Sequence, residues 1–537
     1  MLRFARRFIL AAAISAASMS ISIPSVKAQP PDTSWNVASG SWFDDTNWTS
    51  GVPTSTERAE IDNGGISLVQ LEGAAANVLD VGERNLGELR VEAGGTISNT
   101  LVFVGDFSTS EGAVMVDGDG SNWSVGSLWL GSSGRGTLAI SNGGRVFSQS
   151  STYIGREENS QGNVLVTGQG SEWVGGASRN IYIGYEGSGK LRIENGGHVT
   201  NKDTTLAWWP GSEGTAIVTG ESTVWNCYRL IIARRGKGTA TISDGARVSG
   251  EFGEIWSPEG LAVVTDPGSN WAIGFLLDVF NGGTLSIQNG GHVTVDYATN
   301  IHEGDVYLES GTITSDLLRI FSLGVLRGSG IAQGDVTNSG IIAPGTSVGT
   351  LNIHGSYSQF SGELQIELAS PTSFDTLAID GLATLDGTLE ASLLDGFVPD
   401  LGDAFEILTA TDGVIGTFSS HLLPALTDDL VWSIHYGSNS VRLEVETYLA
   451  GDYNQNGIVD AADYTVWRDG TSGEFEQHEY DAWSANFGAV IVSSSGGNTL
   501  VPEAASWQHA ILALVAAGLT CHSRGAATSI LCRRSAA

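Results

Sequence analysis

Cysteine is nearly absent: Cys227, Cys521 and Cys532 are the whole complement. An odd number, two of them close together in the tail, makes no disulfide framework, so packing and hydrogen bonds must hold the body. Positive charge is scarce too. Lys and Arg total 26 against 59 Asp and Glu, a formal net charge of −33. Binding phosphate backbones takes stripes of Lys and Arg, so no nucleic-acid partner is expected. Long hydrophobic runs are missing as well. Plentiful instead is glycine, 72 of 537 residues, within a chain that is 41% hydrophobic. Such apolar content is too high for a disordered acidic chain, and the glycines lack collagen's three-residue period. Glycine with frequent Val, Ile and Thr predicts a turn-rich, mainly β protein.

The two ends read as addresses. Residues 1–28 have a basic start (Arg3, Arg6, Arg7), an apolar run from Phe8 to Ala17, and Val26-Lys27-Ala28 for cleavage. That is the order of a secretory signal peptide, and it predicts a secreted, extracellular or bacterial cell-surface protein. At the other end, Ser493-Ser494-Ser495-Gly496-Gly497 lies in a linker over 491–500. Residues 501–537 follow, with Val501-Pro502-Glu503-Ala504, an apolar stretch from Ala510 to Leu519, and Arg524, Arg533 and Arg534. The stretch is shorter than the roughly 20 residues a spanning helix needs. This order resembles the PEP-CTERM sorting signal of bacterial surface proteins, with Ala504 where that pattern has Pro. The resemblance implies membrane contact only through this tail, if uncleaved.

An internal repeat organises the body. Val91, Val116, Ile140, Val166, Ile193, Val218, Ile242, Val264, Ile287 and Leu308 recur at about 24 residues, each ahead of a Gly-rich turn such as Asn142-Gly143-Gly144. Two residues before each stands another apolar side chain, for example Leu138 or Leu191, so both point to one face. Units this short cannot bury that face alone, but stacked they form a continuous core. A parallel β-helix (β-solenoid) is predicted, with coils roughly 4.8 Å apart; a propeller and a multi-sheet sandwich are the alternatives. Alternate units carry Ser121-Asn122-Trp123, Ser171-Glu172-Trp173, Ser269-Asn270-Trp271 and, with one insertion, Ser222-Thr223-Val224-Trp225. These tryptophans either plug core corners, the favoured reading, or face out as an aromatic track suited to sugars. The expected organisation is an N-terminal cap over 29–65, solenoid repeats over 66–330 and a closing β region over 331–447. The repeats resemble those of autotransporter passenger domains and related bacterial surface proteins, which implies the fold far more than any activity.

One motif carries specific chemistry. Asp452, Asn454, Asn456, Asp460 and Asp463 put oxygen side chains at loop positions 1, 3, 5, 9 and 12, with Gly457 at the sharp turn and Ile458 offering its carbonyl. Ca²⁺ takes six to eight oxygens, and this spacing wraps them round one ion. The plain alternative is an Asx-turn loop capping a helix. The loop resembles the EF-hand-like dockerin type I repeat, with Asp463-Tyr464-Thr465-Val466-Trp467-Arg468 as its helix. Glu479-Tyr480-Asp481-Ala482-Trp483-Ser484-Ala485-Asn486 repeats the helix, but the residues before it, 470–478, lack the Asp/Asn spacing. A small α-helical module over 448–490 with one ion site is therefore expected, Tyr464 and Trp467 packing against Tyr480 and Trp483. The resemblance implies a cohesin-like or other surface-scaffold partner.

No catalytic residues emerge. The positions just after the anchors hold Asp117 and Glu194 three coils apart, about 14 Å, too far for the paired carboxyls of glycoside hydrolysis. His198 and His292 stand four coils apart and make no metal site. Asp117-Gly118-Asp119-Gly120 reads as a turn. Arg229, Arg234, Arg235 and Lys237 form the one basic cluster, a solvated edge or a contact for acidic polysaccharide. The favoured reading is a structural or adhesive surface protein, with extracellular polysaccharide as a further partner. The alternative is a polysaccharide-degrading hydrolase or lyase delivered by its dockerin-like module.

Overall fold

The computed structural model describes residues 31–490 apart from 177–178, 428–429, 448, 455 and 470–476. Residues 1–28 and the segments 491–500 and 501–537 lie outside these, so the expected signal, linker and sorting tail do too. The chain divides into two compact units that meet at 448/449. No helix among the described residues is long and apolar enough to cross a membrane.

The first unit is a parallel β-solenoid of about 15 coils. In one coil, Glu111–Asp117 forms a short strand. Gly118 and Gly120 turn the chain at positive φ. The long strand Asn122–Leu130 follows, then a corner at Gly131 leads to the next short strand, Arg135–Ser141. Short strands stack on short strands, and long on long. The sequence anchors fall in one ladder: Val91 pairs with Val116, Val116 with Ile140, Ile140 with Val166, and so on to Leu308. All ten are buried. This parallel, in-register pairing excludes the propeller.

Glycine is required where coils touch. Gly105 has φ +70, and a Cβ there would lie 1.9 Å from the Arg135 carbonyl. Gly112 opens a short strand, and its Cβ would lie 2.0 Å from the Val81 carbonyl.

The two-coil alternation has a structural cause. In the long-strand ladder Ile97, Trp123, Val146, Trp173, Val199, Trp225, Val248, Trp271 and Val293 pair in succession. Each indole thus sits between smaller aliphatic side chains, and all four are buried. Three satisfy their N–H on the preceding coil: Trp123 donates to Asn99 Oδ1 (2.9 Å), Trp173 to Ser148 Oγ (2.7 Å) and Trp225 to Asn201 Oδ1 (3.0 Å). The hydroxyl two residues before each Trp, fully buried, accepts from a turn N–H of that same preceding coil. Gly94 N donates to Ser121, Gly143 N to Ser171, Gly196 N to Thr223 and Gly245 N to Ser269, at 3.0–3.1 Å. In the other direction Asn195 and Asn289 reach back to Thr167 and Thr265.

The ends of this unit are built differently. Trp35, Trp42 and Trp48 pack edge to face at 4.9–5.0 Å between centroids, and Trp48 Nε1 donates to the Trp42 carbonyl. At the far end the parallel rule breaks. Leu430–Tyr436 and Ser440–Thr447 form an antiparallel hairpin, which pairs antiparallel with Ala404–Ala410. Phe405 is buried there beside Phe374, Phe397 and Trp432.

The second unit contains helices α1 (Ala461–Arg468) and α2 (Gln477–Asn486). Tyr464 lies 5.1 Å from Trp483 and 6.2 Å from Tyr480, and Trp467 lies 5.2 Å from Tyr480. The aromatic helix pairing expected from the sequence is therefore present.

Trp225→Ala is expected to lower the stability of its coil by roughly 3–5 kcal/mol, through the cavity it leaves. Ser171→Ala should cost about 1 kcal/mol, one buried acceptor. Hydrogen exchange measures both, as faster local opening of the substituted coil and its two neighbours with distant coils unchanged.

Candidate functional site

The loop that the sequence singled out is closed by its own side chains. Asp452 accepts from Asn456 N and Gly457 N (3.1 and 2.7 Å), and Gly457 sits at φ +82. Asn454 Oδ1 accepts from Asn456 N, and Asn456 Oδ1 from Ile458 N. Asp463 is fully buried and accepts from Asn454 N and Asp460 N (2.9 and 2.8 Å). Asp460 turns outward instead: its Oδ1 accepts from Ala462 N and caps α1. Both Asx turns and a helix cap are thus present. The loop is braced by α2, since Trp483 Nε1 donates to the Asp460 carbonyl (2.7 Å) and Tyr453 OH to the Glu479 carbonyl.

Do these residues suit a calcium ion? Asp452 and Asp463 face each other, and burial, then the Asp463 charge, hold the Asp452 carboxyl above its usual range. Two desolvated carboxylates in contact are what a cation relieves. The donor set is all oxygen, as Ca²⁺ prefers. Asp452, Asn454, Asn456, Asp460, Asp463 and the Ile458 carbonyl would hold it, Asp460 while its Oδ1 caps α1. Among the described residues, a His/carboxylate cluster with ligand atoms within 4.8 Å of one another occurs instead at His435, Glu444 and Glu446.

The corner tryptophans face the core, so the aromatic track is not theirs. It lies further along the long strands, on side chains the sequence reading passed over. Phe103, Trp129, Tyr153 and Tyr182 occupy one register position on successive coils. Their rings meet at 4.7, 6.2 and 5.0 Å. Tyr185 and Trp208 extend the row, Trp208 lying 5.1 Å from Tyr182. Arg156 stacks 3.9 Å over Trp129. Arg234 and Arg235, from the predicted basic cluster, lie 4.2 Å over Trp208 and 5.4 Å over Trp209. Arg229 lies over Phe252 instead, and Lys237 pairs with Glu213. Another row, Tyr228, Phe252, Phe275 and Tyr297, runs at 5.1–5.6 Å on the neighbouring bend, with Tyr228 47% exposed. Aromatic recurrence once per coil was the available signal; a search keyed to Ser-x-Trp missed it.

His198 and His292 hydrogen-bond to neighbouring strands and bind nothing together. Asp117 Oδ1 accepts from Ser141 and Asn142, as a turn should. Cys227 is buried, and burial pushes its thiol up.

Three carboxyls that burial raises stand out. Asp80 is fully buried and pairs with Arg58 Nε (2.7 Å), while Glu83 lies 3.5 Å from the same guanidinium. Burial raises Asp80 to about 7 against the pull of Arg58, helped by Asp106 and Glu83. Burial, then Glu83 and Asp62, raise Glu60 to about 7, against a bond from Ser34. Asp375, also raised to about 7 by burial, gives both oxygens to backbone N–H groups of Gly349 and Glu367. It fastens the Gly349 and Glu367 segments to each other. Hence the folded chain keeps protons on these carboxyls that the unfolded chain sheds near pH 4. Their stabilisation is complete below that range and is lost as pH rises through about 7. Thermal melts of the first coils should show a midpoint that falls from pH 5 to pH 8. Asp80→Asn should flatten that fall; an unchanged slope would show that Asp80 does not titrate there.

No family model matches the chain, and no curated protein matches it. Among solved structures, the chain is similar to the Hap adhesin of Haemophilus influenzae, with 15% identity and a TM-score of 0.22. That match covers 74% of this chain and 60% of the Hap chain.

Proposed function

We propose that this chain is a secreted or cell-surface structural and adhesive protein. Its solenoid is the scaffold, and its C-terminal dockerin-like unit binds one Ca²⁺ and meets a cohesin-like or other surface partner. The supporting observation is the periodic outer face: aromatic side chains recur once per coil along the long strands. A surface that repeats with the coil offers many weak contacts in a row, which suits an extended, repetitive partner such as an extracellular polysaccharide. One hollow on the solenoid, of about 270 Å³, is bordered by Asp375 and Glu390, and another, of about 330 Å³, by Arg156 and Glu186.

Display of the chain on a non-adherent bacterium should raise attachment to polysaccharide-coated surfaces, without release of reducing sugar. Sugar release by the purified chain would instead establish the degrading enzyme. Calorimetric titration of the full chain with Ca²⁺ should show one site, weakened at least tenfold by Asp463→Ala. Equal binding in that variant would remove the ion from this loop.

A further inference from the structure

We propose that the edge running from Trp129 to Arg235 is a binding tract for a uronic-acid polysaccharide, with Arg234 and Arg235 as its carboxylate-reading end. The inference rests on the adhesive reading and gives it a site and a ligand class.

The tract is ordered along the solenoid. Trp129, Tyr153, Tyr182 and Trp208 come from four successive coils, and the arginines from the next. Trp209 is 37% exposed. Coil spacing, roughly 4.8 Å, is comparable with the repeat of an extended chain of pyranose rings, so a polymer can meet one aromatic side chain after another. Indole and phenol rings give sugars an apolar face while their N–H and O–H stay wet.

Charge selects among sugars. Arg234 and Arg235 are exposed, and among the described residues neither has a carboxylate within 4.0 Å. Both guanidiniums lie over indoles. A ring beneath a guanidinium holds it by cation–π attraction and leaves its N–H groups available for a further partner. That planar fork matches a carboxylate in bidentate fashion. At the opposite end, Arg156 is paired with Glu157 (3.0 Å), and Glu158 and Glu186 are exposed. The carboxylates nearest Arg234 and Arg235 are therefore the ones that are held, and ring contacts prevail toward Tyr153. In a chain of net charge −33, two unpaired cations mounted on aromatic rings are a local reversal of sign.

The full chain is titrated with polygalacturonate by calorimetry, beside a neutral β-glucan and dextran sulfate. Polygalacturonate should bind at least tenfold tighter than either. Arg234→Ala/Arg235→Ala and Trp209→Ala should each weaken it at least tenfold, with thermal midpoints unchanged because these side chains are exposed. Equal affinity for the neutral glucan, stronger binding of the sulfated polymer, or undiminished binding by the arginine variant would overturn the inference. So would concentration-dependent self-association lost in that variant, which would make the tract a contact between copies. If surface attachment persists while polygalacturonate fails to bind, the uronate site alone falls; loss of attachment with uronate binding intact removes the adhesive role instead.

Discussion

The structure depends on a small hydrogen bond repeated four times. A buried Ser or Thr hydroxyl on one coil accepts the turn N–H of the coil before it. Without that acceptor, each turn would leave a backbone donor stranded at the seam between coils, at a cost of roughly 1–3 kcal/mol. Two residues on, a tryptophan enters the core, and three of the four return their own N–H to the same neighbour. The hydroxyl fixes the height of the coil, and the indole fixes its lateral register. Together they make the coil pair, not the coil, the true repeating unit.

That division of labour leaves the outer face free. Core positions of the repeats are filled mainly by Val, Ile, Leu, Trp and small residues, because each is pressed between equivalent positions above and below. Outward positions carry no such restriction. On the side of the long strands they are filled with aromatic rings and arginines, which stack because the coil spacing brings them together. The solenoid thus turns a one-dimensional sequence repeat into a one-dimensional surface. At its start the same register position holds Glu60 and Asp80 in place of rings. There Arg58 pairs with Asp80, and burial raises Asp80 and Glu60 to about 7.

Much of the solenoid was legible in the sequence. The anchors Val91 to Leu308 form the ladder their spacing implied, and the inward preference of Trp123, Trp173, Trp225 and Trp271 followed from their Ser-x-Trp setting. The aromatic helix pair was legible from Tyr464, Trp467, Tyr480 and Trp483. What escaped was everything that depends on register between coils at outward positions. Phe103, Trp129, Tyr153 and Tyr182 share no local motif and become neighbours only when coils of unequal length are aligned. Asp460 carries a second task that loop spacing did not show: a helix begins beside it, and its Oδ1 accepts from Ala462 N.

The central claim is parallel, in-register stacking of successive coils, and cysteine cross-linking tests it directly. Thr215 and Thr239 are register partners, whereas Thr241 pairs with Ile217. In a chain with Cys521 and Cys532 replaced by Ser, Thr215→Cys/Thr239→Cys should oxidise to an intramolecular disulfide. Thr215→Cys/Thr241→Cys should not, because a shift of two residues carries the Cα atoms beyond the limit of about 7 Å. Cross-linking of the shifted pair at an equal rate, or failure of the matched pair, would contradict the stacked solenoid.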